Sequence, residues 1–375
     1  MNNKIWLSSP HMSGKEQFYI KEAFDSNWVA PLGPNVNGFE QDLQQYLGDD
    51  VFVAALASGT AALHLGLILL GVEKDDEVLC QSKTFSASAN PIVYLGAKPV
   101  FVDSEDKTWN ICPERLEIAI KDRISNGTKP KAIIAVHLYG MPYQVEEIRR
   151  IADNYEIPIL EDSAESLGSE YKGRKCGTFG DISILSFNGN KIITTSGGGA
   201  LAVRDQKIKD KAVFLSTQAR DAAPHYEHSH IGYNYRMSNI VAGIGRGQMT
   251  ILDSHVKKRR ENYQFYRDTF KNIYEISFLN EPEDMYSNRW LTTISLPSYK
   301  IREELREFLL EDNIESRPLW KPMHLQPIFK DCSKYLNGIS EDLFNKGLCL
   351  PSGSNLTENE LNRVVSGIKS YFAIC

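Results

Sequence analysis

Ile159-Leu160-Glu161-Asp162-Ser163-Ala164-Glu165-Ser166, followed by Ser186-Phe187-Asn188-Gly189-Asn190-Lys191-Ile192-Ile193-Thr194-Thr195-Ser196-Gly197-Gly198-Gly199, is the part of the chain around which the rest is organised. The first stretch ends an apolar run, Ile157 to Leu160, and delivers two carboxylates where that run stops. A short apolar run of this kind reads as a buried strand. An open parallel α/β sheet places its ligands beyond such strand ends. The second stretch begins in another apolar run, Ile182 to Phe187, and brings a hydroxyl, an amide and one lysine into a turn before a triple glycine. Glycines at that point let backbone approach backbone closely.

Outward from these two strand ends the pattern repeats. Strands are expected at Val51 to Ala57, Glu77 to Gln81, Pro99 to Val102, Lys131 to Val136 and Ala200 to Val203. Helices are expected at Ala61 to Leu70, Ala87 to Leu95, Pro113 to Ile124, Val145 to Asn154 and Asp205 to Leu215. Alternation of this kind predicts an α/β fold with a large, mostly parallel sheet covered on both faces. Further on, Ile240 to Asn272 reads as one long helical pattern softened by glycines. A smaller C-terminal α/β domain is expected from about Asp253, dividing the chain into 1–252 and 253–375. Its strands should be Trp290 to Leu296 and Ile314 to Arg317, covered by helices at Arg302 to Leu310 and Glu358 to Phe372. With 375 residues, 42% of them hydrophobic, two domains are the natural division.

Charge and composition narrow the function. A net charge of −6 argues against a nucleic-acid binder, whose footprint is basic. No apolar run approaches the ~20 residues of a membrane helix. The start, Met1-Asn2-Asn3-Lys4-Ile5-Trp6, lacks the apolar core of a secretory signal, so the cytoplasm is the expected compartment. Cys80, Cys112, Cys176, Cys332, Cys349 and Cys375 are scattered and read as buried or incidental thiols, not a metal or redox site. His225, His228 and His230 lie close together, but without a matching carboxylate or cysteine set they read as a loop and no metal is expected.

The joint Ser58-Gly59-Thr60 leaves unpaired N–H groups at a helix start, which favours an anion such as phosphate. Simple capping by Ser58 or Thr60 explains the same residues. A lysine at one strand end, an acid at another and such a joint are together what a pyridoxal 5′-phosphate (PLP) enzyme needs. Several blocks in order extend the likeness: Ser58-Gly59-Thr60-Ala61-Ala62-Leu63, Thr84-Phe85, Val136-His137-Leu138-Tyr139-Gly140, and Gly232-Tyr233-Asn234-Tyr235-Arg236-Met237-Ser238. With these the chain resembles the DegT family of sugar aminotransferases, of the aspartate aminotransferase fold (PLP fold type I).

That resemblance implies roles. Lys191 is the Schiff-base lysine and then the proton carrier; Asp162 pairs with the pyridine nitrogen; Phe85 stacks on the ring or is a core residue. Gly59, Thr60 and Ser186 hold the phosphate, and Asn234 reaches it from the neighbouring subunit, so a homodimer with shared sites is expected. The loop Trp28 to Pro34 closes the site or is a plain connector. Glu165 lies near the ring hydroxyl and the sugar, and Trp320, Lys321 and His324 face the substrate. The cofactor alternates between PLP and pyridoxamine 5′-phosphate as L-glutamate donates the amino group. Many relatives carry Gly-Glu-Gly-Gly where this chain has Ser196-Gly197-Gly198-Gly199. The run Arg317-Pro318-Leu319-Trp320-Lys321-Pro322-Met323-His324, with the Ser186 block, looks most like the branch that aminates UDP-4-keto-6-deoxy-N-acetylglucosamine on the route to bacillosamine-type sugars. A GDP-linked 4-keto sugar, a dTDP-linked 3-keto sugar, and a non-catalytic PLP-binding regulator remain the alternatives.

Overall fold

A computed structural model describes residues 3–48 and 50–374, with no side-chain description at 374. Cys375 and the first two residues of the expected cytoplasmic start lie outside the described residues. The main strands are β1 (Phe52–Leu56), β2 (Glu77–Gln81), β3 (Lys98–Val102), β4 (Ala132–Val136) and β5 (Ile159–Asp162). A short ribbon of β6 (Glu170–Tyr171) and β7 (Arg174–Lys175) precedes β8 (Ile182–Ser186) and β9 (Gly199–Val203). The large sheet runs β1-β9-β8-β5-β4-β2-β3 and ends on Lys334–Tyr335. Only β9 runs against its neighbours in that sheet.

Both faces of this sheet are covered, which is why its strands are mostly apolar and their polar residues fall chiefly at the ends. Alternate residues enter different cores. Ile134, Leu160 and Ile184 pack on one side with Leu63 and Leu65 of the helix Gly59–Leu69. Ile133 and Ile159 pack on the other with Ile148 and Ile151 of the helix Val145–Asn154. The same period of two sends Glu161 and Asp162 to opposite faces.

A second sheet pairs Ser277–Phe278, Thr292–Ser295, Gly347–Leu350 and Arg317–Pro318, all antiparallel. Its core gathers Ile294, Leu305, Leu309, Leu348 and Val364, together with Ile5 from the start of the chain. Ile314, expected inside a strand, forms only an isolated bridge to Ile5. Thus Ile5 joins the C-terminal core and Lys334–Tyr335 rejoins the large sheet, so the chain crosses the expected 252/253 division in both directions.

The pattern expected as one helix from Ile240 to Asn272 is two helices, Asn239–Met249 and Leu252–Phe270. The glycines of the first are contact points. A Cβ on Gly245 would lie 2.7 Å from the Phe39 ring, and one on Gly247 would lie 2.8 Å from the Glu16 backbone. After Ile251, at φ −125° and ψ 7°, the second helix takes Leu252 and Val256 into the large-sheet core and Tyr266 and Phe270 into the small-sheet core.

Candidate active site

The ends of β1, β2, β5 and β8 and the glycine entry to β9 meet at one edge of the large sheet. Together with Trp290, Arg317 and Trp320 from the small-sheet side, they enclose a cavity of about 670 Å³. Gly59, Thr60, Phe85, Asp162, Glu165, Ser186 and Lys191 all line it.

Asp162 is 3% exposed. Its Oδ2 accepts from Ser88 Oγ at 2.6 Å and its Oδ1 from the Ala164 N–H at 3.1 Å. Burial pushes this carboxyl above its usual range, opposed by those hydrogen bonds and by the Lys191 charge. Glu161, one residue earlier, faces away from the cavity. It pairs with His137 Nε2 at 2.7 Å and accepts from Ser163, Ser183 and the N–H groups of Gly177, Phe179 and Gly180. Despite desolvation that acts the other way, the His137 pair and the remaining donors bring its carboxyl down to about 2. Glu161 therefore ties the 177–183 loop to the sheet, while Asp162 faces the cavity.

Lys191 Nζ lies 3.4 Å from Glu165 Oε1 and 4.1 Å above the Trp290 ring. The indole is fixed by its own N–H, which donates to the Asn190 carbonyl at 2.7 Å. Glu165 Oε2 accepts from the Tyr139 N–H at 2.6 Å, and burial pushes its carboxyl up to about 7 against the pull of Lys191.

At the start of the helix Gly59–Leu69, Ser58 Oγ accepts from the Ala61 N–H at 3.0 Å and so caps the helix. The Gly59 and Thr60 N–H groups have no acceptor among the described residues. A Cβ on Gly59 would lie 2.9 Å from Ser186 Cβ, and one on Gly199 would lie 2.4 Å from the Gly59 nitrogen. Glycine at both places brings the helix start against Ser186 and β9. Two free N–H donors at a positive helix end beside two hydroxyls make an anion cradle. A phosphate cradle, a buried carboxylate and an enclosed lysine on one cavity fit PLP.

The other expected residues fall in several places. Phe85 is 54% exposed and its ring centroid is 5.4 Å from that of Trp320, so it is a cavity-wall residue and not a core one. Lys321 lines a second, outer cavity that Trp320 shares with the first. His324 requires a correction. Its Nδ1 is 2.6 Å from Ser82 Oγ and its Nε2 is 3.1 Å from Glu341, and it lines neither cavity, so both nitrogens hold protein to protein. Asn234 is exposed and lines neither cavity of its own chain. Cys176 is buried behind β5 on the Glu161 side, and burial raises its thiol far from reactivity. His225 pairs with Glu227, and His228 Nδ1 is 2.9 Å from the Gln218 carbonyl. Sequence reading missed Ser88, Trp290 and Arg317 as site residues. Ser88 stands in the first turn of the helix Ser86–Tyr94, its hydroxyl 2.7 Å from that of Thr84 just before the helix, and nothing local in the sequence marks it.

The model of the DegT/DnrJ/EryC1/StrS aminotransferase family matches residues 10–369. The chain belongs to this family. It is a PLP-dependent sugar aminotransferase. It is 52% identical over 376 residues to a putative pyridoxal phosphate-dependent aminotransferase, EpsN, of Bacillus subtilis (strain 168), covering 99% of this chain and 97% of that one. It is 36% identical to the GDP-perosamine synthase of Escherichia coli O157:H7, covering 98% of this chain and 99% of the relative. A crystal structure of a DegT DnrJ EryC1 StrS aminotransferase from Brucella abortus superposes with a TM-score of 0.89 at 30% identity, over 96% of this chain and 95% of that one. Among the described residues no helix is long and apolar enough to cross a membrane.

Proposed function

We propose that this aminotransferase moves the amino group of L-glutamate onto a nucleotide-linked 4-keto-6-deoxy sugar, UDP-4-keto-6-deoxy-N-acetylglucosamine first among them, giving the UDP-4-amino-4,6-dideoxy sugar. The observation that carries this reading is the outer cavity, about 710 Å³, which adjoins the catalytic one and shares Phe85, Arg317 and Trp320 with it. Lys4 and Lys321 add positive charge to its lining, and Arg306, also on it, is paired with Glu303 at 3.0 Å and Glu307 at 3.2 Å. Its acid, Glu315, is already engaged by Arg317 at 2.7 Å and by the Leu7 N–H at 3.0 Å. A cationic chamber beside the lysine fits a diphosphate, with the sugar reaching inward.

When bound, PLP carries the amino group and accepts electrons from the carbon that loses a proton. Lys191 attaches the cofactor and moves a proton at the reacting carbon. Asp162 keeps the ring nitrogen protonated, since a buried carboxylate persists best against a positive donor. Gly59, Thr60 and Ser186 bind the phosphate, Phe85 covers the ring, and Glu165 orients the sugar. Asn234 reaches the phosphate of a partner subunit, which makes the homodimer the active unit. Mixing Lys191→Ala chains with Asn234→Ala chains should then restore part of the activity. No recovery after proven subunit exchange removes the shared site.

A GDP-linked 4-keto sugar is the second reading, favoured by the 36% identity to a GDP-perosamine synthase along nearly the whole chain. The test is amination by purified protein with L-glutamate across UDP-, GDP- and dTDP-linked keto sugars, with the product carbon assigned by NMR. Preference for the UDP 4-keto sugar supports the first reading and preference for GDP the second. Amination of neither overturns both.

A further inference from the structure

Lys83 is a buried ionisable group that the chemistry above does not use. It follows β2 in Gln81-Ser82-Lys83-Thr84-Phe85, is 0% exposed, and lines neither cavity. Its Nζ donates to the Trp320 carbonyl at 3.2 Å, the one acceptor found for it among the described residues. Burial pushes its ammonium down to about 7, opposed by Cys349 and Asp103. A buried cation facing a neutral carbonyl costs stability that an apolar side chain of similar length would not. Such groups concentrate at functional sites.

Trp320 is gripped at both ends of its backbone. Its N–H donates to the Tyr139 hydroxyl at 2.9 Å. Just beyond, the Met323 N–H donates to the Ser82 carbonyl at 2.7 Å, and His324 is held by the Ser82 hydroxyl. The strap 320–324 is thus fastened to the end of β2 through Ser82 and Lys83. From it the Trp320 indole packs on Phe85, Tyr139 and Trp290, at centroid distances of 5.4, 5.3 and 6.1 Å, and forms part of the wall common to both cavities.

We propose that Lys83 is a positioning residue: by holding the Trp320 carbonyl it fixes the indole between the catalytic and outer cavities, and so governs affinity for the nucleotide sugar while leaving amino transfer from glutamate unaffected. The affinity part rests on reading the outer cavity as the diphosphate chamber. The strap part does not.

The test uses the PLP-loaded full chain and Lys83→Met. Loss of the hydrogen bond to the Trp320 carbonyl should raise KM for the keto sugar about tenfold, with kcat and the glutamate half-reaction kept within about twofold. Amide exchange at Trp320 should quicken by about tenfold, with other protected amides unchanged. The melting temperature should rise, because a buried ammonium has been removed. Lys83 has a lower pKa folded than unfolded, so its protonated form opposes folding most below pH 7. The gain in melting temperature should therefore be larger near about pH 6 than near about pH 9. Among the groups facing Lys83, the Cys349 thiol is pushed up to about 12 and Asp103 is held low, so neither titrates in between. Lys83→Gln, which keeps a shorter N–H donor, should fall between the parent and Lys83→Met. Unchanged exchange at Trp320 in both variants overturns the proposal whatever the substrate proves to be. A lower melting temperature with equal losses in both half-reactions overturns it too, since that is the mark of a merely structural lysine. If exchange quickens but no nucleotide sugar is aminated, the strap stands and the diphosphate chamber falls.

Discussion

The cavity has two walls of different make. One is the edge of the large sheet, where successive strand ends set down Thr60, Asp162, Ser186 and Lys191. The other comes from the small-sheet side and the strap, and presents Trp290, Arg317 and Trp320. The sheet wall is rigid because its strands are buried on both faces and its polar groups are held by short hydrogen bonds. The opposite wall depends on tilted aromatic contacts and a few backbone clasps. Under the proposed function, attachment and proton movement belong to the first wall and selection of the sugar nucleotide to the second.

Breaking the sheet wall should have the largest effect. Asp162→Asn should lower kcat by about a thousandfold, near 4 kcal/mol, with the fold kept. Kinetics beside a thermal melt checks this, and near-parent turnover would remove Asp162 from the chemistry. The back of the same wall should respond in stability and not in rate. Glu161 is held at about 2 against an ordinary 4.5, so its stabilising contribution is present above that ordinary value and is lost as pH falls toward 2. That difference amounts to about 3 kcal/mol. Glu161→Gln should therefore unfold at lower denaturant near neutral pH, lose the parent's acid sensitivity, and keep kcat per folded molecule. The smallest effect is on the opposite wall. Arg317→Ala should raise KM for the sugar nucleotide about tenfold with little change in kcat, as expected for uniform binding lost. An equal fall in kcat would blur the division between the walls.

How much of this could be read from sequence follows the same division. Strand ends are legible because apolar runs mark β5 and β8 and because Asp162, Lys191 and the glycine run stand directly after them. Which of Glu161 and Asp162 faces the site comes from the family resemblance, and the structure adds that the two point to opposite faces. The opposite wall is assembled from residues far apart in the chain, and nothing local marks Trp290 as the surface under Lys191. His324 shows the limit most plainly. A histidine beside Trp320 and Lys321 reads as a substrate contact, but the turn Met323–Leu325 rotates it inward onto Ser82. The strand Gly347–Leu350 was missed although all four of its residues are buried. The long helix was read through its break because the glycines that pack on Phe39 and Glu16 look, in sequence, like soft spots in one helix.

Two lysines, Lys191 and Lys83, lie at or behind the cavity, and only the first is placed to hold the cofactor. Borohydride reduction of the PLP-loaded chain, followed by peptide mapping by mass spectrometry, distinguishes them directly. The expected result is one phosphopyridoxyl adduct on the peptide carrying Lys191, absent from Lys191→Ala and unchanged in Lys83→Met. An adduct on Lys83, or one that survives in Lys191→Ala, would contradict the assignment on which the sheet wall's role depends.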